Sequence, residues 1–194
     1  MTESARSFPR SIDLLSHQEC RLVVVDVQEK LLPVIPQGDQ LVARIQQLIQ
    51  AARLFEIPLS CSEQYPKGLG PTVPELAEML PAPQEKLHFS ASECLGWGAA
   101  ANMADSRTKI VLTGIEAHIC VQQTALDLLA LGYRVTIPVD AVASRNQLDW
   151  EIAIKRMENS GASITTTESI LFEWCEVAGT EEFKQISRLV TGKK

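Results

Sequence analysis

The chain has 194 residues, which suits one domain with a sizeable core and would cramp two. Hydrophobic residues make up 45% and charged residues 22%, the balance of a packed globule and not of a disordered chain. A formal net charge of −6 gives no electrostatic footprint for nucleic acid, and no apolar run approaches the ~20 residues of a membrane span.

The opening MTESARSFPRSIDLL has no continuous apolar stretch, so a secretion signal is not expected, and Lys193–Lys194 reads as a frayed end. Arg21–Asp26 (RLVVVD) is a β-branched run ending in a carboxylate, the pattern of a strand buried on both faces of a parallel sheet. Leu41, Ile45, Leu48, Ala52 and Phe55 fall on one helical face, and Ile57–Cys61 predicts a second strand. Glu63–Pro74, rich in Gly and Pro, reads as a surface loop. Lys86–Phe89 predicts a third strand and Trp97–Met103 a short helix. Ile110–Thr113 is the fourth strand, and Gly114 is a turn residue after it. The next helix, with Val121, Ala125, Leu128 and Leu129 on one face, stops at Gly132. Tyr133–Val139 predicts a fifth strand, Trp150–Glu158 a helix and Ser163–Thr167 a sixth strand. Ile170–Trp174 and Phe183–Val190 complete the pattern as helices.

Alternating strands and helices predict a three-layer α/β/α fold around a six-stranded, mainly parallel Rossmann-like sheet of order 3-2-1-4-5-6, in a single domain over residues 1–194. In such sheets the ligand crevice lies outside the carboxyl ends of the strands, and strands 1 and 4 are neighbours at the switch point. Asp26 ends strand 1 and Cys120 follows strand 4, so this topology brings a base beside a nucleophile. Cys120 also stands at a helix N-terminus, where unpaired N–H groups and the dipole favour a thiolate and can receive an oxyanion. A buried, inert thiol is the alternative reading of the same residue. The other four cysteines, Cys20, Cys61, Cys94 and Cys175, form no CxxC pair, and the odd count fits reduced thiols in the cytoplasm.

Three segments carry a resemblance: VVVDVQ at Val23–Gln28, the Lys-x-x-Phe-Ser-Ala pattern at Lys86–Ala91, and GIEAHICVQQTALDLLALGYRV followed by Asp140–Ala141. Together they resemble the isochorismatase-like cysteine hydrolases, and SEQYPKGLGPT after strand 2 is similar to the isochorismatase domain-containing branch. The resemblance implies a catalytic triad of Asp26, Lys86 and Cys120. It also implies a cis peptide before Glu116 and an oxyanion hole made by the amides of Glu116 and Cys120. Gln28, Glu63, Gln64, Tyr65 and Trp97 are candidate substrate-binding residues; each also has a plainer reading, as a turn cap, a solvated loop or, for Trp97, a cap on the core. His118, two positions before Cys120, reads as a surface or packing residue in preference to a general base.

Nicotinamidase relatives carry an Asp-x-His…His metal set after the second strand, whereas SEQYPKGLG holds no histidine, so neither metal nor cofactor is expected. True isochorismatases act on a vinyl ether without a cysteine nucleophile, so Cys120 points away from that reaction. The expectation is a cytoplasmic, metal-independent cysteine hydrolase that acts on a small carbonyl compound, an amide for preference, through a thioester. Its partners would be a small-molecule substrate and further copies of itself as a homo-oligomer, with no nucleic acid or membrane. A catalytically idle binding scaffold and a thiol redox sensor at Cys120 are the alternatives. The hydrolase reading carries its own expectation, that Cys120 alkylates faster than the other thiols.

Overall fold

A computed structural model describes residues 9–192; the first eight residues of the opening segment and Lys193–Lys194 lie outside the described residues. The strands are β1 (Cys20–Val25), β2 (Leu59–Gln64), β3 (Gln84–Lys86), β4 (Lys109–Ile115), β5 (Arg134–Pro138), β6 (Val142–Ala143) and β7 (Ser163–Thr165). The helices are α1 (Gly38–Leu54), α2 (Pro66–Leu69), α3 (Pro74–Ala77), α4 (Ser92–Leu95), α5 (Gln122–Ala130), α6 (Gln147–Asn159), α7 (Thr167–Cys175) and α8 (Glu181–Thr191).

The strands form one parallel sheet of order β3-β2-β1-β4-β5-β7, with helices on both faces. The expected path is therefore present, but the sheet has seven strands and not six. The additional one is β6, which pairs with β4 beyond the point where β5 leaves it, at Gly114↔Val142 and Ile115↔Ala143. Two residues are too few to show any periodicity, so such a strand leaves no pattern to read.

The central strands alternate between two apolar cores. Leu22 and Val24 of β1 pack with α1, α7 and α8, whereas Val23 and Val25 pack with α5 and α6. On β4, Val111 and Ile115 face the first core and Ile110 and Leu112 the second. Period-two alternation with both faces apolar is what a sheet covered on both sides demands. Each such buried aliphatic side chain contributes about 1.5–3 kcal/mol. Leu41, Ile45, Leu48 and Ala52 lie on the buried face of α1, as their spacing predicts.

Three boundaries differ from expectation, the first two beside the crevice. β2 runs on through Glu63 and Gln64, because β3 pairs with it at Glu63↔Glu85 and Gln64↔Lys86. β3 is Gln84–Lys86 and not Lys86–Phe89, which makes Lys86 its last residue. Helix over Trp97–Met103 shrinks to a single 3-10 turn at Ala100–Asn102, while α4 forms just before it.

Candidate active site

Asp26 follows the last residue of β1 with a φ of +55°, a left-handed conformation that non-glycine residues seldom take and that concentrates at functional sites. Its backbone N–H donates to Ser62 O at 3.1 Å, which seats it against the end of β2. The Ser62 hydroxyl donates to Asp26 Oδ1 at 2.8 Å. Lys86 Nζ stands 2.6 Å from Asp26 Oδ2, and the two side chains are 3% and 0% exposed. Despite that close charge contact, Oδ2 has no aligned hydrogen-bond partner. A buried carboxylate oxygen with an open lone pair is positioned to take a proton.

Lys86 is held by neutral acceptors as well: Gln64 Oε1 at 2.7 Å, Phe89 O at 2.9 Å and His88 O at 3.3 Å. The ammonium is thus fixed from three directions around Asp26.

Cys120 lies in a π-helical turn, Ala117–Val121, that leads directly into α5. The preceding Ile115–Glu116 peptide is cis, as the resemblance implied. Gly114 sits opposite Val25 in the β1–β4 register with a φ of +118°, and a methyl group there would overlap the Val25 carbonyl. Only glycine lets β4 come this close to the end of β1. Thr124 Oγ1 donates to Cys120 O at 2.6 Å and accepts from Ala91 N at 2.8 Å, tying the turn to the segment after β3.

The Cys120 thiol interacts with both Asp26 and Lys86. Its pKa is pushed up to about 12, by burial first and then by the Asp26 charge, with Lys86 pulling the other way. Lys86 does not prevail over burial and the Asp26 charge, so the thiol form of Cys120 is favoured.

The residues expected to bind substrate divide three ways. Gln28 is fully buried and its amide is spent on backbone: Nε2 donates to Gly70 O at 2.6 Å and Gln64 O at 3.1 Å, while Oε1 accepts from Gln64 N at 2.8 Å. Glu63 Oε1 accepts from Thr72 N at 2.6 Å and Thr72 Oγ1 at 2.7 Å. Gln64 holds Lys86 with Oε1 and donates from Nε2 to Leu87 O at 2.8 Å. All three are thus committed to backbone or to neighbouring side chains. Tyr65 is half-exposed beyond β2. Trp97 is at the other end of the sheet: Arg21, at the start of β1, lies 5.1 Å over its ring, and Tyr133, just before β5, is 5.8 Å away. As a pocket wall Trp97 is therefore corrected; it caps the core at the amino ends of the strands.

Glu116 and His118 are tethered away from the thiol. Glu116 Oε2 accepts from both N and Nε of Arg145 at 3.0 Å, and His118 Nδ1 lies 2.9 Å from Ser144 Oγ. Sequence reading missed Ser62, Thr124, Ser144 and Arg145. For Ser62 a signal existed, because the β1–β2 register sets it beside Val25, one residue before Asp26.

A cavity of about 380 Å³ adjoins the cluster on its Lys86 side, bounded also by Leu87, His88, Ser90 and Cys94. The chain fits a metal poorly at the position where nicotinamidases hold one. Glu63 Oε1 and the Gln64 amide are already committed, and among the described residues no group of three or more His, Cys, Asp or Glu could hold a metal ion. No helix among the described residues is long and apolar enough to cross a membrane.

Known proteins are similar to this chain in sequence and in fold. The isochorismatase domain model matches residues 20–169. Isochorismatase domain-containing protein 2 of Danio rerio is 40% identical over 179 residues, covering 92% of this chain and 90% of that protein. The Homo sapiens protein of the same name is 39% identical over 172 residues, covering 87% and 82%. Among solved structures, MAR1 ribonuclease from Caenorhabditis elegans has a TM-score of 0.83 at 36% identity, covering 92% of each chain.

Proposed function

Since the chain belongs to the isochorismatase domain family, a family of hydrolases, we propose that it is a metal-independent cysteine hydrolase of small amides. Cys120 is the nucleophile, Asp26 the base and Lys86 the counter-charge. The observation that carries this reading is the open lone pair of buried Asp26 Oδ2 beside a protonated Cys120 thiol.

As the Cys120 sulfur bonds to the carbonyl carbon, its proton passes to Asp26, so a thiol with a high pKa need never exist as a free thiolate. The carbonyl electron pair moves onto oxygen, which is held by the amides of Glu116 and Cys120. Collapse breaks the C–N bond, and the leaving amine takes the proton from Asp26. Water attacks the thioester as Asp26 accepts its proton; the acid leaves and the proton returns to sulfur. Lys86 offsets the Asp26 charge before and after each proton transfer. Tyr65 meets substrate at the rim, while Gln28, Glu63 and Gln64 shape the wall. As family resemblance implied, we also propose a homo-oligomer.

The ribonuclease name of the C. elegans neighbour finds no support in this chain's net charge of −6, which repels a phosphate backbone. A panel of small amides, followed by intact mass, tests the hydrolase reading. The wild-type protein should accumulate an acyl group on Cys120, Cys120→Ala should lose it, and Asp26→Asn should lose turnover while still binding. EDTA should leave the rate unchanged. Full turnover in Cys120→Ala would remove the nucleophile assignment.

A further inference from the structure

We infer that Gln64 is a positioning residue of this site: by accepting a Lys86 ammonium hydrogen on its own Oε1, it keeps Asp26 Oδ2 open to the Cys120 thiol. The inference rests on the cysteine–aspartate reading above. A lysine ammonium has three hydrogens. Three neutral oxygens surround it, those of Gln64, Phe89 and His88, at 2.7, 2.9 and 3.3 Å. Asp26 Oδ2 is nearer, at 2.6 Å, yet has no aligned hydrogen bond. The neutral oxygens thus take the directed bonds, and the carboxylate receives the charge without losing its lone pair.

The Gln64 amide is fixed in the orientation this needs. Its Nε2 donates to Leu87 O at 2.8 Å, and a flipped amide would turn its NH₂ toward the ammonium. Its backbone is pinned on both sides by the Gln28 amide, and β-pairing sets Gln64 beside Lys86. Two glutamines from β2 and the β1 loop therefore act in series on one lysine. A carboxylate in place of the amide would compete with Asp26 for the charge, and an apolar side chain would release a hydrogen to Oδ2.

Asp26 contacts Lys86 from β3 and Ser62 from β2, and acts through its charge on the thiols of Cys120, Cys61 and Cys94. All three thiols are pushed upward, so none of them titrates in the acid range. The acid side of a rate profile for Cys120 acylation is therefore free of these thiols.

The probe is p-nitrophenyl acetate. The Cys120 sulfur bonds to the acetyl carbon, the thiol proton goes to Asp26 and p-nitrophenolate leaves, with Cys120→Ala supplying the background. In Gln64→Met the acid limb should move about 1 unit lower, because Lys86 now hydrogen-bonds Asp26, and the plateau should fall about tenfold with the weaker base. In Gln64→Glu the limb should move about 1 unit higher, because Asp26 shares its counter-charge. Opposite movements at one position are not produced by a packing role. If Gln64→Met does not fold, the isosteric Gln64→Glu decides by the direction of its shift. Limbs that stay with the wild type in every folded variant overturn the inference and leave the cysteine–aspartate reading standing. A wild-type protein with no Cys120 acylation, or with no acid limb, overturns both.

Discussion

At the amino end of the sheet, Cys20 is buried at the start of β1, and Lys109, at the start of β4, lies 2.9 Å from Glu19. At the carboxyl end Cys120 is buried after β4, and Lys86 lies 2.6 Å from Asp26. Burial raises both thiols, Cys20 to about 11 and Cys120 to about 12. The ends differ in the acid. Glu19 is 49% exposed, so water shares its charge, and Lys109 also donates to Leu14 O. Asp26 is sealed from water, bent into a left-handed conformation and left with an open oxygen. A buried thiol near an ion pair is thus ordinary architecture; a sealed carboxylate with one oxygen outside any aligned hydrogen bond is what distinguishes the carboxyl end.

Removing the cation at each end should break the likeness most sharply. Lys86→Met leaves the Asp26 carboxylate buried without a counter-charge and should cost about 3–5 kcal/mol in urea unfolding. Lys109→Met, whose partner is half in water, should cost about 0–1 kcal/mol. Equal losses would mean that the two pairs are equivalent.

A rise in pH should instead show what the ends share. Cys20, Cys61 and Cys120 have folded pKa values of about 11, 12 and 12 against an ordinary 9.0. With the folded values raised, their stabilisation is complete below pH 9 and is lost as pH climbs towards 11 and 12. At pH 10 the loss should be about 1 kcal/mol per thiol, read as a falling melting temperature. A melting temperature that is flat from pH 8 to 11 would contradict the shifts. Cys20→Ala and Cys120→Ala should each reduce the slope.

The smallest effect belongs to Trp97. Trp97→Leu loses the Arg21 cation over its ring and its tilted contact with Tyr133 and should cost about 1 kcal/mol, with Cys120 acylation unchanged. A drop in acylation rate at constant fold would return Trp97 to the site.

The long β-branched runs make β1 and β4 legible, and the α/β alternation makes their adjacency legible, so the amino-acid sequence alone brings Asp26 and Cys120 together. Lys86 came from resemblance, because a three-residue strand has no pattern of its own. Gln28, Glu63 and Gln64 were legible as residues near the crevice but not as its wall. Whether a side-chain amide faces substrate or backbone depends on partners such as Gly70 and Leu87, which chain spacing does not specify. Trp97 misled for a related reason: a residue after strand 3 can return to either end of the sheet, and its Arg21 and Tyr133 contacts are set by tertiary packing.

Lys86 is the last residue of β3, a three-residue strand on the outer edge of the sheet, paired along one side only, to β2. Short edge strands open by local fraying far more often than a domain unfolds. On the mechanism proposed above, each opening would withdraw the ammonium and leave the Asp26 charge uncompensated, so activity would follow a fraying equilibrium at one margin of the molecule, and amide hydrogen exchange at Lys86 would measure it.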